Sequence, residues 1–319
     1  QNFNGDALNT AVGYFAGKSI TTGTHNTLVG GLSGQILTEG NSNIAIGYAS
    51  LAAETLGDRS VAIGVNALNA QANTSDTDAY NTAIGFSAGE RITTGTHNTL
   101  MGSLAGDALT TGTDNVAVGV NALSTEDGHG RNVAMGRDAL KLQNAGENAY
   151  NVAVGYTAGA AMTTANYTTI VGGLAGDALT TGNSNTFVGA YSGSAATIGN
   201  TNTAVGRDSL LTNVAGDRNT AIGYQSLRVM TAASTTDTFN TALGYHSGLA
   251  VTSGIKNTII GASAGAALTT PGHNVAVGYA SQGSATTGEF NTSLGGLSMG
   301  TGVTTGDNNT ALGYQAGKA

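Results

Sequence analysis

Apolar and polar positions along the chain follow one short cycle. A run such as Asn9-Thr10-Ala11-Val12-Gly13 recurs with its glycine at 13, 30, 47, 64, 85, 102, 119, 136, 155, 172, 189, 206, 223, 244, 261, 278, 295 and 313. Of the seventeen intervals, thirteen are 17 residues, one is 18, and three are 21, 19 and 21. The residue before each glycine is always Val, Ile, Leu or Met, and the one before that is usually Ala. Neighbouring side chains on a strand point to opposite faces, so a strand apolar at both positions is covered on both sides. One face fills the interior, and the other is expected to meet another subunit. The aliphatic column before the glycine is expected to be a buried one. No 3.6-residue period appears, and seventeen residues are too few for a helix pair. The pattern therefore predicts an all-β fold, a parallel β-solenoid of about 18 rungs of 17 residues.

The other fixed positions fit that reading. The glycine is expected to turn a corner at positive φ or to admit a close backbone. Asn stands four residues before it in sixteen of eighteen copies, Ser60 and Thr168 being the exceptions. A stacked amide ladder is expected there. Three residues after the glycine stands only Ala or Ser, from Ala16 to Ala316, which marks a narrow place. Thr-Thr-Gly, as at 21–23 and 304–306, reads as turn chemistry with a solvated threonine column. Four blocks, 9–80, 81–150, 151–239 and 240–319, sit above this cycle within a single repeat domain, 1–319. In each block the second rung carries a larger residue two before its glycine: Leu28, Leu100, Ile170 and Ile259. Segments 69–80, 141–150 and 228–239 hold the extra residues, each ends in an aromatic, and they read as bulged loops.

Composition narrows the function. Charged residues are 9%, Gly is 50 of 319, and there is no Cys and no Trp. Zero cysteines exclude disulfides and thiolate metal sites. Eleven Lys and Arg, with a net charge of −8, argue against a nucleic-acid partner, which needs a clustered basic footprint. No apolar run approaches the ~20 residues of a membrane span, so no membrane insertion is expected.

The motif Asn-Thr-Ala-Val-Gly, clear at 202–206 and close to it at 219–223, resembles the head repeats of trimeric autotransporter adhesins. It also resembles the repeats of bacteriophage tail fibres. The resemblance covers residues 9–319, and the phage-type repeat is the nearer in length. It implies a left-handed parallel β-roll assembled as a homotrimer, on a virion or bacterial surface, in an attachment role. A host surface glycan or protein receptor is the implied partner.

Candidate chemistry is sparse. His25 and His97 occupy equivalent positions four rungs apart, too far to share a metal, and read as surface residues. Asp107 and Asp177 share Gly-Asp-Ala-Leu-Thr-Thr-Gly, but a calcium site needs several converging oxygens. Asp127, His129 and Arg131 lie in a glycine loop with no nucleophile in view. No cofactor, metal or catalytic residue is assigned, the protein is expected not to be an enzyme, and chelation is expected to leave its stability unchanged. Distinctive side chains gather in the inserted segments, where recognition usually resides. Tyr80, Tyr150, Arg228 and Phe239 are the candidate partner contacts. The bland reading of the aromatics is that they close the gap where each loop rejoins its rung. A structural spacer or self-assembling filament is the alternative function. An ice-binding solenoid is a weaker one, because paired adjacent threonines point apart.

Overall fold

A computed structural model describes residues 7–232, 236–300 and 305–317. The fold is a parallel β-solenoid with no helix among those residues. The chain divides into two compact units, 1–164 and 165–319.

In the first unit nine three-residue strands run from Thr10–Val12 to Val152–Val154 among the described residues. Each pairs in parallel with the equivalent strand of the next rung, as Thr10, Ala11 and Val12 do with Thr27, Leu28 and Val29. The second unit repeats the arrangement from Thr169–Val171 to Thr310–Leu312. Insertions leave this register intact: Val61 pairs with Thr82, Val133 with Val152 and Thr220 with Thr241. The extra residues of 69–80 and 141–150 are therefore looped out of the rung. Segment 228–239 contains residues 233–235, which lie outside the described ones; its Thr236–Asp237 pairs in parallel with Gly216–Asp217.

The corner glycine meets both conditions expected of it. Gly13 and Gly119 have φ of 134°, and a Cβ on either would stand 2.5 Å from the carbonyl oxygen of the glycine one rung on. No side chain fits there. The asparagine ladder is also present. The backbone N–H of Asn26 donates to Asn9 Oδ1 at 2.7 Å, and that of Asn43 to Asn26 Oδ1 at 2.9 Å. Asn26 Nδ2 donates to the Gly40 carbonyl at 2.8 Å. The Asn26 amide thus satisfies groups from its own rung and its neighbours, as buried polar atoms require; Asn132 Nδ2, buried without a partner, is an exception. In the Thr-Thr-Gly turn the second threonine is exposed as expected, at Thr22, Thr94 and Thr181, while the first, like Thr38 of Thr-Glu-Gly, is bonded to the next rung. Thr21, Thr38 and Thr180 hydroxyls donate to the carbonyls of Thr38, Thr55 and Thr197 on the following rung.

The strand's two apolar faces separate, and in the opposite sense to the expectation. The residue two before the glycine is the interior one: Leu28, Ala62, Leu100, Ile170 and Phe187 are fully buried. The aliphatic just before the glycine faces outward, with Val12, Met101, Met135 and Leu243 exposed.

Interior volume is shared between the strand and the turn. Where the strand offers Leu28, Leu100, Ile170, Phe187 or Ile259, the residue four after the glycine of that rung is itself Gly: Gly34, Gly106, Gly176, Gly193 or Gly265. A Cβ on Gly106 would stand 2.8 Å from Leu100, and one on Gly193 2.8 Å from the Phe187 ring. Ala11, Ala83, Ala153 and Ala242, which open the blocks, are followed by Gly at that position too, but at Ala45, Ala62, Ala117, Ala134, Ala204 and Ala221 the same turn position carries a Leu. Those are Leu51, Leu68, Leu123, Leu140, Leu210 and Leu227. They adopt φ between 46° and 53°, a strained region for a leucine that close packing holds in place. This alternation follows the longer period seen in the sequence.

Candidate functional site

Two surfaces carry the distinctive side chains. The first is the outward strand face. In the first unit, the aliphatic column before the corner glycine is flanked by Tyr14, Tyr48, Phe86 and Tyr156 just after it, all exposed. In the second unit the flanking residues are Tyr224, Tyr245, Tyr279 and Tyr314. Tyr224 and Tyr245, on successive rungs, stack with ring centroids 5.5 Å apart, and His246 stacks on Tyr245 at 3.8 Å. On the remaining rungs the position after the glycine is Gly, Ala, Ser, Val or Arg.

The second surface is the column five residues before the corner glycine, and it holds three of the four predicted contacts. Tyr80, Tyr150 and Phe239 all lie there at positive φ, about half exposed. They are regular members of the rung, in line with His25, His97 and Tyr167, and not parts of the bulge. The preceding rung sets an arginine against each ring. Arg59 lies 5.8 Å from the Tyr80 centroid, and Arg131 and Arg218 lie 5.5 Å from those of Tyr150 and Phe239. Arg59 also pairs with Asp78, and Arg218 with Asp237, the acid two residues before the ring in both cases. Asp78, and after it Tyr80, hold the Arg59 guanidinium above its ordinary pKa. Arg131 instead donates to the Tyr150 hydroxyl at 2.6 Å and lies 3.8 Å from Asp114. Each insertion therefore re-enters the solenoid under an arginine clamp. The alignment of corner glycines sets each arginine and ring in one column; the contact between them is seen only in the structure.

Arg228 does not join this group. It stands five residues after Gly223, half-buried, with its carbonyl accepting from the Thr212 N–H and hydroxyl. His25 and His97 each place Nδ1 2.9 Å from the hydroxyl of the preceding threonine. Of Asp127, His129 and Arg131, the arginine turns to Tyr150. The other two converge with Glu126, each residue offering a ligand atom within 4.8 Å of the others. That convergence was not legible in the sequence, because Glu126 takes a position that is Ile20, Leu37, Ile92 or Leu109 on other rungs. Asp177 accepts a hydrogen bond from Ser194 at 2.6 Å, whereas Asp107 Oδ1 is buried without a partner.

No protein-family model, curated protein or solved structure matches the chain. Among the described residues, no helix is long and apolar enough to cross a membrane.

Proposed function

We propose that the chain is a structural, non-enzymatic fibre segment of a phage tail fibre or bacterial surface adhesin. It would assemble as an extracellular homotrimer and mediate attachment to a host or surface. The observation that carries this reading is the outward strand face. An aliphatic residue before the corner glycine recurs on every rung, never buried in the single chain, and a ring follows the glycine on eight of them. Exposed apolar rows of that extent mark interaction surfaces. A face that repeats with the rung is best covered by another face with the same repeat, as a second and third copy supply. Light scattering on the purified chain tests the assembly. Three times the 31.4 kDa chain mass is expected, and a stable monomer at micromolar concentration sinks the reading.

The clamped column sharpens the choice between attachment and a plain spacer. Tyr80, Tyr150 and Phe239 have a sufficient structural reason to be aromatic, since each covers the arginine of the rung before it. Attachment through them requires their outer faces to engage a glycan or protein receptor as well. Shortening segments 69–80, 141–150 and 228–239 to the regular rung length and measuring binding to host cells or surface glycans separates the two. Undiminished binding by all three folded variants favours the spacer.

A further inference from the structure

Two rungs of the first unit bury a glutamate at the same register, seven residues after the corner glycine, and only one of the two is satisfied. Glu54 is fully buried and carries six donors. Its Oε1 accepts from the N–H groups of Thr55, Leu56, Gly57 and Asn73 at 2.8–3.2 Å. Its Oε2 accepts from Gln71 Nε2 at 2.8 Å and Asn73 Nδ2 at 2.9 Å. Glu126, 72 residues on, is equally buried. Its Oε1 accepts from His129, from the N–H at 3.2 Å and through Nδ1 at 3.3 Å. Its Oε2 has no hydrogen-bond partner.

The substitutions that make the difference are specific. Ala145 stands where the first site has Asn73, so one side-chain donor is gone. His129 stands where the first site has Gly57. It keeps the N–H bond to the glutamate and adds an imidazole. The loop is fixed from outside: the His129 carbonyl accepts from Asn115 Nδ2 at 3.2 Å, and the Gly130 N–H donates to Asn148 Oδ1 at 3.0 Å. Burial pushes the Glu126 carboxyl above its ordinary pKa, while His129 and the Ala145 N–H pull the other way. An unsatisfied buried carboxylate is costly, and a cation is one means of removing that cost.

We propose that Glu126, His129 and Asp127 form a site for one divalent transition-metal ion of the zinc class. The ligand set decides the class. An imidazole with carboxylates suits zinc, cobalt or nickel, whereas calcium and magnesium take oxygen alone. Glu126 is the buried anchor, His129 is half-buried at the mouth, and Asp127 closes the site from solvent. Three protein ligands leave a fourth position for water or for a group from a partner surface. The metal would tie the turn 124–131, which lacks the Thr110-Thr111-Gly112 sequence of the rung before it.

The experiment uses the full chain, stripped with EDTA and titrated by calorimetry with zinc chloride, with parallel thermal melts. One zinc per chain is expected, with a rise in Tm that EDTA reverses, because a ligand bound only by the folded state stabilises it. His129→Ala and Glu126→Gln are each expected to weaken zinc binding by at least about tenfold, on the scale that removing a metal-site partner costs. Both variants should fold, since His129 is half-exposed and glutamine keeps the shape of the glutamate. Calcium and magnesium should leave Tm unchanged. Absence of stoichiometric zinc binding overturns the proposal. So does zinc binding that survives both substitutions, or equal stabilisation by calcium.

Discussion

Leu100 and Met101 are neighbours on one strand and nearly equal in size, yet the molecule treats them differently. Leu100 is fully buried, and its side chain meets the space left by Gly89 and Gly106; Met101 is 42% exposed. At the inner position volume decides what is allowed, and it is balanced against the turn of the same rung. At the outer position only apolar character is kept, with Val, Ile, Leu and Met used in turn. A jigsaw interior and a permissive exterior on one strand mean that the inner face specifies the rung, while the outer face is held only to apolar character.

The largest expected effect lies at the biggest interior side chain. Phe187→Ala should destabilise the second unit by about 3–5 kcal/mol in chemical denaturation. Adding Gly193→Leu should recover part of that loss, because the double variant recreates the Ala-plus-Leu rung seen at Ala204 and Leu210. Gly193 has φ of 59°, close to the 52° of Leu210. No recovery would mean that strand and turn do not share one volume.

Overpacking the narrow column comes next. Ala122→Leu or Ala139→Leu should cost about 1–3 kcal/mol, since both positions are fully buried. Unchanged melting curves for both would break the contrast between a tight interior and a tolerant exterior. On the outer face, Met101→Glu should change the stability of an isolated chain by less than about 0.5 kcal/mol. It should also lower the mass seen by light scattering, because three charges would meet at one level of a trimer. A large loss of chain stability without dissociation would place Met101 in the core.

The smallest effect concerns Asp107. Burial, the main cause, raises its carboxyl above the ordinary value, and Glu90 adds to this; its own backbone N–H and Arg91 oppose it. With the folded pKa above the unfolded one, the stabilising contribution is complete below about pH 3.9. It is lost as pH rises through the folded value. Asp107→Asn should therefore raise Tm slightly at pH 7 and not at pH 3. Asp177→Asn should show no such gain, because Ser194 already bonds that carboxylate.

Much of the fold was legible because the constraints repeat. A corner that admits no Cβ selects glycine, a buried amide that serves two rungs selects asparagine, and a narrow turn selects Ala or Ser. The candidate contacts were legible as residues and not as a site. Tyr80, Tyr150 and Phe239 were visible at the ends of their loops. Their partners Arg59, Arg131 and Arg218 lie 19 to 21 residues earlier, in the same column of the preceding rung, and column position alone does not show which side chains touch. Glu126 was hidden for a related reason, since a lone acid at an interior position shows its meaning only beside Glu54 and its six donors.

By itself, the sequence determined the rung, its period, its strand and its fixed columns, because each of those depends on local sterics and hydrogen bonds repeated many times. The tertiary structure alone decided which of two apolar faces lies inside. Alternation along a strand separates the faces without assigning them a side. That assignment comes from the direction in which the rung closes, and from the volume that Leu or Gly brings back to the strand from the turn.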